Sequence, residues 1–192
     1  MRVIAGKYRS RRLNSLRGMD VRPTADRLRE TLFNVLTAGN PQALEGSVWL
    51  DLFAGTGAVG IEALSRGAAM VYFVEQSRRA IELIKGNLAS LGIKQGFEIV
   101  HQDVKQAISQ LERQRIQANL VFLDPPYRLQ NAYQEALEAL ANSQLTNRAQ
   151  VIAEHERHYE PGEKFGALQR TRKLEQGDAA LSFYSIPPTV AN

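Results

Sequence analysis

Asp51-Leu52-Phe53-Ala54-Gly55-Thr56-Gly57-Ala58-Val59-Gly60 decides the fold, because an apolar run, an acid and three spaced glycines in that order read as strand, turn and helix. Val48 to Phe53 forms the run, Asp51 stands at its close, and a helix is expected near 58 to 66. Working outward, Met70 to Val74, Phe97 to Val100, Leu120 to Leu123 and Val151 to Ala153 read as further strands. Amphipathic segments near 77 to 91, 104 to 115 and 130 to 142 read as helices between them. This alternation predicts an α/β domain whose parallel sheet is covered on both faces through right-handed crossovers. Upstream, Pro23-Thr24 opens another helix, with Thr24 as N-cap, Asp26 in the first turn, Leu28, Leu32, Val35 and Leu36 on one face, and Gly39-Asn40-Pro41 as its stop. Downstream, Glu160-Pro161-Gly162 breaks the pattern. Strands near 167 to 175 and 179 to 186, joined at Gln176-Gly177-Asp178, then predict an antiparallel hairpin closing one sheet edge.

Dinucleotide enzymes share the glycine pattern, so the loop alone does not choose its ligand. In the dinucleotide fingerprint the first glycine follows the strand almost directly, whereas Asp51 precedes Gly55 by four positions and sets a carboxylate beside the loop. An acid there suits an ammonium group, reached directly or through water, with Phe53, Gly55 and Gly57 against the ligand. Glu75, 24 residues after Asp51, ends the second strand, where its carboxylate can accept both ribose hydroxyl protons. Asp103, just beyond the third strand, suits an adenine amino group or, equally, the N-cap of the helix beginning at Val104. Dinucleotide enzymes use an acid where Glu75 stands, so Glu75 discriminates poorly; the Asp51 spacing, Asp103 and the segment that ends the fourth strand favour S-adenosylmethionine over a dinucleotide.

The fourth apolar run ends in Asp124-Pro125-Pro126-Tyr127, a segment for which hydride transfer has no use. It suits methyl transfer onto a planar amino nitrogen, whose lone pair is delocalised and must be localised before it can attack. The Asp124 carboxylate and the Pro125 carbonyl can each accept one amino hydrogen, while Pro125 and Pro126 stiffen the loop that aims them. Tyr127 can stack on the ring, a contact worth roughly 1 to 3 kcal/mol on comparable base platforms. With strand 1 beside strand 4, Asp51 and Asp124 are expected side by side at the carboxyl ends of the strands.

Composition narrows the acceptor. Residues 1 to 29 carry nine Lys or Arg against Asp20 and Asp26, so this leader is +7 and the rest of the 192-residue chain is −3. Clustered cations suit a polyanion, and Arg2, Lys7, Arg9, Arg11, Arg12 and Arg22 are the expected RNA contacts. The chain has no cysteine, which excludes disulfides and thiolate metal sites. His155 and His158 lack metal-site spacing, and no metal is expected. Arg170, Arg172 and Lys173 read as a solvated strand face and Tyr184 as packing. No signal-peptide pattern or membrane-length run is evident, so a cytoplasmic monomer is expected, with residues 1–22 as a basic extension and 23–192 as the main domain.

The chain resembles the RsmD family, 16S ribosomal RNA guanine-N2 methyltransferases acting on guanine 966 of the small subunit. The likeness rests on Arg2-Val3-Ile4-Ala5-Gly6-Lys7, Arg22-Pro23-Thr24, Asp26-Arg27, Arg29-Glu30-Thr31-Leu32-Phe33-Asn34, Asp51 to Gly57, Glu75 and Asp124 to Tyr127. It implies a Rossmann-like class I methyltransferase fold with a mostly parallel seven-stranded sheet, S-adenosylmethionine as donor, and a small N-terminal β-hairpin that grips ribosomal RNA. A DNA adenine-N6 or cytosine-N4 methyltransferase shares the chemistry but usually needs a separate target-recognition region. A protein glutamine methyltransferase typically carries Asn where Asp124 stands. A non-catalytic assembly factor for ribosomal RNA would not need Asp51, Glu75 and Asp124 together.

Overall fold

The computed structural model describes residues 1–15, 23–126 and 128–188. They belong to two compact units, Met1–Asp103 and Val104–Asn192.

In the first unit β1 (Val48–Leu52), β2 (Met70–Val74) and β3 (Phe97–Val100) pair in parallel, with Trp49 opposite Val71 and Val71 opposite Phe97. β1 and β2 are buried along nearly their whole length instead of at alternate residues. That is the burial expected of a parallel strand covered on both faces. α2 (Ala58–Ser65) and α3 (Arg78–Ser90) make the crossovers, and the Ser77 hydroxyl accepts the Ala80 N–H at the start of α3. α1 (Pro23–Leu36) buries Leu28, Leu32 and Phe33, and Phe33 stacks on Trp49 with ring centroids 5.4 Å apart. This helix already includes Pro23, so Thr24 lies inside the first turn and not at the expected N-cap. Proline suits that first position because its missing N–H would have no helical partner.

The basic leader folds back as an antiparallel turn, with Arg2 opposite Arg12 in a single bridge. The Val3 amide donates to the Arg11 carbonyl at 2.9 Å and the Ser10 amide to the Val3 carbonyl at 2.9 Å. Val3 and Leu13 are buried, while Arg2, Lys7, Arg9, Arg11 and Arg12 are exposed. Residues near α2 and α3 fasten it. Glu62, wholly buried, accepts the Ile4 amide at 2.7 Å and the Ala5 amide at 3.0 Å, and its charge is matched by Arg66 at 2.8 Å. The Ser65 hydroxyl donates to the Ala5 carbonyl and accepts the Tyr8 amide, and Asn87 exchanges hydrogen bonds with the Asn14 backbone. Gly6 is obligatory, because at φ +77° a Cβ would sit 1.8 Å from the Ser65 carbonyl oxygen.

In the second unit β4 (Leu120–Leu123) runs parallel to β5 (Gln150–Glu156), with Leu123 opposite Ala153. β5 is longer than the apolar run Val151 to Ala153, because its last residues pair with β8 (Ala179–Ser185) out to Glu156 opposite Ala179. β7 (Leu168–Gln176) and β8 form the expected antiparallel hairpin, with Gly177 at φ +62° in the turn, and a two-residue β6 (Lys164–Phe165) pairs with β7. α4 (Val104–Arg113) and α5 (Gln130–Ala141) are the helices of this unit. The described residues thus form an α/β fold, its strands mostly parallel until an antiparallel C-terminal group. They contain eight strands where seven were implied, the extra one being β6, too short to announce itself by alternation.

Packing settles several polar residues here. His155 is fully buried, its Nδ1 2.8 Å from the Glu156 carbonyl and its Nε2 2.9 Å from the Ser182 hydroxyl, and burial lowers its pKa. Arg170 is no solvated residue: it pairs with both Glu160 and Glu163, while Lys173 lies 3.4 Å from Glu175. Tyr184 is buried and donates to the Gly162 carbonyl at 2.8 Å. Among the described residues no helix is long and apolar enough to cross a membrane.

Candidate active site

The carboxyl ends of β1 and β2 bring Asp51, Phe53, Gly55, Gly57 and Glu75 to one loop. Asp51 is 2% exposed, and one of its carboxylate oxygens accepts the Gly60 amide at 2.9 Å, tying the strand end to the first turn of α2. Phe53 is held at φ +61°, a left-handed conformation unusual for a side-chain-bearing residue. Such local strain persists only where its surroundings enforce it; here the next amide, of Ala54, donates to the Val74 carbonyl at 3.0 Å. Gly55 and Gly57 follow at φ +55° and +75°.

The three glycines have different reasons. A Cβ on Gly60 would lie 2.4 Å from the Phe73 ring and 2.7 Å from Val71, so Gly60 lets α2 pack against β2. One on Gly57 would press on Ile84 at 3.2 Å. One on Gly55 would meet nothing nearer than the Phe53 carbonyl oxygen at 3.8 Å, so backbone conformation, not crowding, calls for glycine there.

Glu75 turns its carboxylate into the same loop, accepting the Gly55 amide at 2.9 Å through one oxygen and the Ser77 amide at 2.8 Å through the other. Each carboxylate oxygen has a second lone pair, so Glu75 keeps acceptor capacity for a diol. Asp103 follows β3, is exposed, and immediately precedes α4. An open glycine backbone, an N-terminal helix turn and an acid at the next strand end fit a nucleoside bearing an amino acid chain. A separate cleft of about 410 Å³, lined mostly by the charged Arg2, Arg9, Asp26, Arg27 and Glu30 together with Val3 and Ile4, shares no residue with this loop.

In the second unit, Asp124 leaves β4 directly. The residue keeps intermediate surface exposure, yet its carboxyl is so enclosed that burial pushes its pKa up to about 7. Pro125 is buried and Pro126 exposed. The Tyr133 hydroxyl of α5 donates to the Glu154 carbonyl at 2.9 Å and lies 3.5 Å from the Pro125 carbonyl oxygen, joining this loop to the end of β5. The sequence alone offered no reason to select Tyr133; only the return of α5 over β4 and β5 brings it there. Tyr127, the expected stacking residue, and Arg22 lie outside the described residues. Of the other expected RNA contacts, Arg11 donates to the Ser90 carbonyl at 2.8 Å, and Lys7 lies 5.5 Å from the centre of the Tyr8 ring.

The chain matches the family described as conserved hypothetical protein 95 over residues 1–185. A curated relative from Escherichia coli (strain K12), "Ribosomal RNA small subunit methyltransferase D", is 38% identical over 158 residues, 81% of this chain and 75% of its own. Among solved structures, a hypothetical protein of Thermus thermophilus superposes with a TM-score of 0.79 at 26% identity, covering 97% of this chain and 99% of that one. A SAM-dependent methyltransferase from Agrobacterium tumefaciens shares the fold, with a TM-score of 0.65 at 18% identity over 92% of this chain and 66% of that one.

Proposed function

The chain belongs to the RsmD family, and from that premise we propose that it methylates ribosomal RNA, using S-adenosylmethionine to modify the exocyclic N2 of a guanine, at a position resembling guanine 966 of 16S RNA. The observation that carries the proposal is the close of β4: an enclosed carboxyl, Asp124, followed at once by the buried Pro125. Two acceptors on consecutive residues of a proline-stiffened loop match the two hydrogens of an amino group.

Asp51, Phe53, Gly55, Gly57 and Glu75 would hold the donor, Glu75 at the ribose and the glycine backbone at the amino acid chain, with Asp103 toward the base. S-adenosylmethionine supplies an electrophilic methyl on a sulfonium, which the base nitrogen takes as the methyl–sulfur bond breaks. The Asp124 carboxylate and the Pro125 carbonyl each accept one amino hydrogen, which localises the nitrogen lone pair. Asp124 also offsets the charge growing on that nitrogen and can take the proton that leaves after transfer. Positioning of the amino nitrogen by Asp124 and Pro125 would contribute most of the acceleration. Tyr127 would stack on the base, and the exposed cations of the leader, Arg2, Lys7, Arg9 and Arg12, would hold the phosphates. Arg2 and Arg12 face each other across the leader's bridge, a like-charge pair that a phosphate would relieve.

The test supplies undermodified small subunits with radiolabelled S-adenosylmethionine. Label is expected in 16S RNA, and mass spectrometry of RNA digests is expected to map it to N2 of one guanine. Label appearing in DNA or protein and not in 16S RNA would overturn the reading.

A further inference from the structure

Among the described residues Leu129 is the one large apolar side chain exposed to solvent, at 51%. Its position is unusual twice over. Leu129 stands at the N-cap of α5, where Ser, Thr, Asp or Asn would satisfy a helix amide, and it makes no such side-chain bond. It also forgoes burial, the usual reason for a leucine. Its backbone is nevertheless tied at both ends: the Leu129 amide donates to the Pro126 carbonyl at 2.7 Å, and its own carbonyl accepts the Ala132 amide at 2.9 Å. An apolar side chain is therefore held in water, anchored to the Asp124–Pro126 segment, with exposed Pro126 and Arg128 near it in sequence.

We propose that Leu129 is a stacking wedge, covering the base next to the target nucleotide once the target is turned toward Asp124, with Arg128 on the adjoining phosphate. The inference rests on the reading of Asp124-Pro125 as the acceptor of a nucleobase amino group. A base acted on at an edge atom must leave its stack, which uncovers a face of its neighbour. Nucleic-acid proteins cover such faces with Leu, Ile, Phe, Met or Pro side chains inserted at the step. A leucine rooted in the acceptor loop stands one short segment from the turned-out base. An arginine beside it gives the charge complement that a protein-facing apolar patch would not need.

The proposal is tested on undermodified small subunits with variants at this exposed position. Leu129→Ala is expected to lower kcat/KM about tenfold, chiefly through KM for the subunit, the size expected when the apolar contact of a partly covered leucine is lost. Leu129→Met and Leu129→Phe are expected to restore it, and Tm and donor affinity are expected to stay unchanged. A photoreactive benzoylphenylalanine at position 129 is expected to crosslink to the nucleotide directly beside the methylated one. Undiminished kcat/KM in Leu129→Ala, or a crosslink to ribosomal protein or to distant RNA, overturns the wedge while methylation by the wild-type chain stands. If the wild-type chain places no methyl on the RNA, the reading of the reaction fails and the wedge falls with it.

Discussion

At the scale of single residues, Asp124 holds opposed demands. In the proposed reaction its carboxyl must be ionised to draw an amino hydrogen and offset charge on nitrogen, yet burial raises its pKa from 3.8 to about 7. The rate is therefore expected to rise with pH through about 7 and level above it, falling about tenfold per unit on the acid side. A pH profile of single-turnover methylation checks this, and a flat profile between pH 5 and 8 would remove Asp124 from the chemistry. Stability moves the opposite way. Because the folded pKa lies above the unfolded one, ionised Asp124 destabilises the fold progressively as pH rises from about 4 to about 7. Asp124→Asn is thus expected to raise Tm at pH 8 but not at pH 4, while turnover collapses and the donor still binds. Gly60 offers a second contrast. Adding one methyl there places it 2.4 Å from the Phe73 ring, so Gly60→Ala is expected to cost about 1 to 3 kcal/mol and to weaken donor binding together with stability. Thermal unfolding and calorimetry would show the two losses in parallel.

At the scale of elements, the leader is a docked turn and not a loose arm. Its alternation of buried Val3 and Leu13 with exposed Arg2 and Arg12 directs the cations outward. Glu62 carries the docking, since it accepts two leader amides from within α2 and is itself fully buried. Glu62→Ala leaves those amides and Arg66 without their acceptor and is expected to cost roughly 3 kcal/mol. Hydrogen exchange at Ile4 and Ala5 should quicken markedly in that variant. Equal protection in both proteins would mean that Val3, Leu13 and the Ser65 and Asn87 bonds hold the leader without Glu62. None of this could be read along the chain, where Glu62 is one more acid on a short helix, 58 residues from Ile4. The strands of the parallel sheet were legible, by contrast, because a buried parallel strand announces itself as a continuous apolar run. Arg170 misled for the converse reason: a cation on a hairpin strand reads as solvated until Glu160 and Glu163 fold beside it, whereas Arg172 is exposed as expected.

At the scale of the whole molecule, charge is divided between a +7 stretch over residues 1 to 29 and a −3 remainder. Since the leader also contributes core residues, deleting it would confuse packing with electrostatics. Neutralising the exposed Arg2, Lys7, Arg9 and Arg12 to Gln leaves Val3, Leu13 and the Glu62 bonds in place. That variant is expected to reduce the slope of log affinity for RNA against log salt by about 3, near 0.7 for each lost contact to a single strand. An unchanged slope would free the leader from any part in RNA binding, and donor affinity serves as the control. What the sequence by itself determined is what short segments encode through local conformation and composition: strand and helix order, the glycine turn after Asp51, the acid and prolines after β4, and the basic leader. Tertiary structure alone decided which side chains serve as partners: Asp51 bonded to the Gly60 amide, Glu75 shared between Gly55 and Ser77, Tyr133 beside Pro125, and Glu62 beneath the leader. The physical reason is range. Turn and strand preferences act within a few residues, whereas enclosure of a carboxyl and pairing of a buried amide depend on chain segments that only folding brings together.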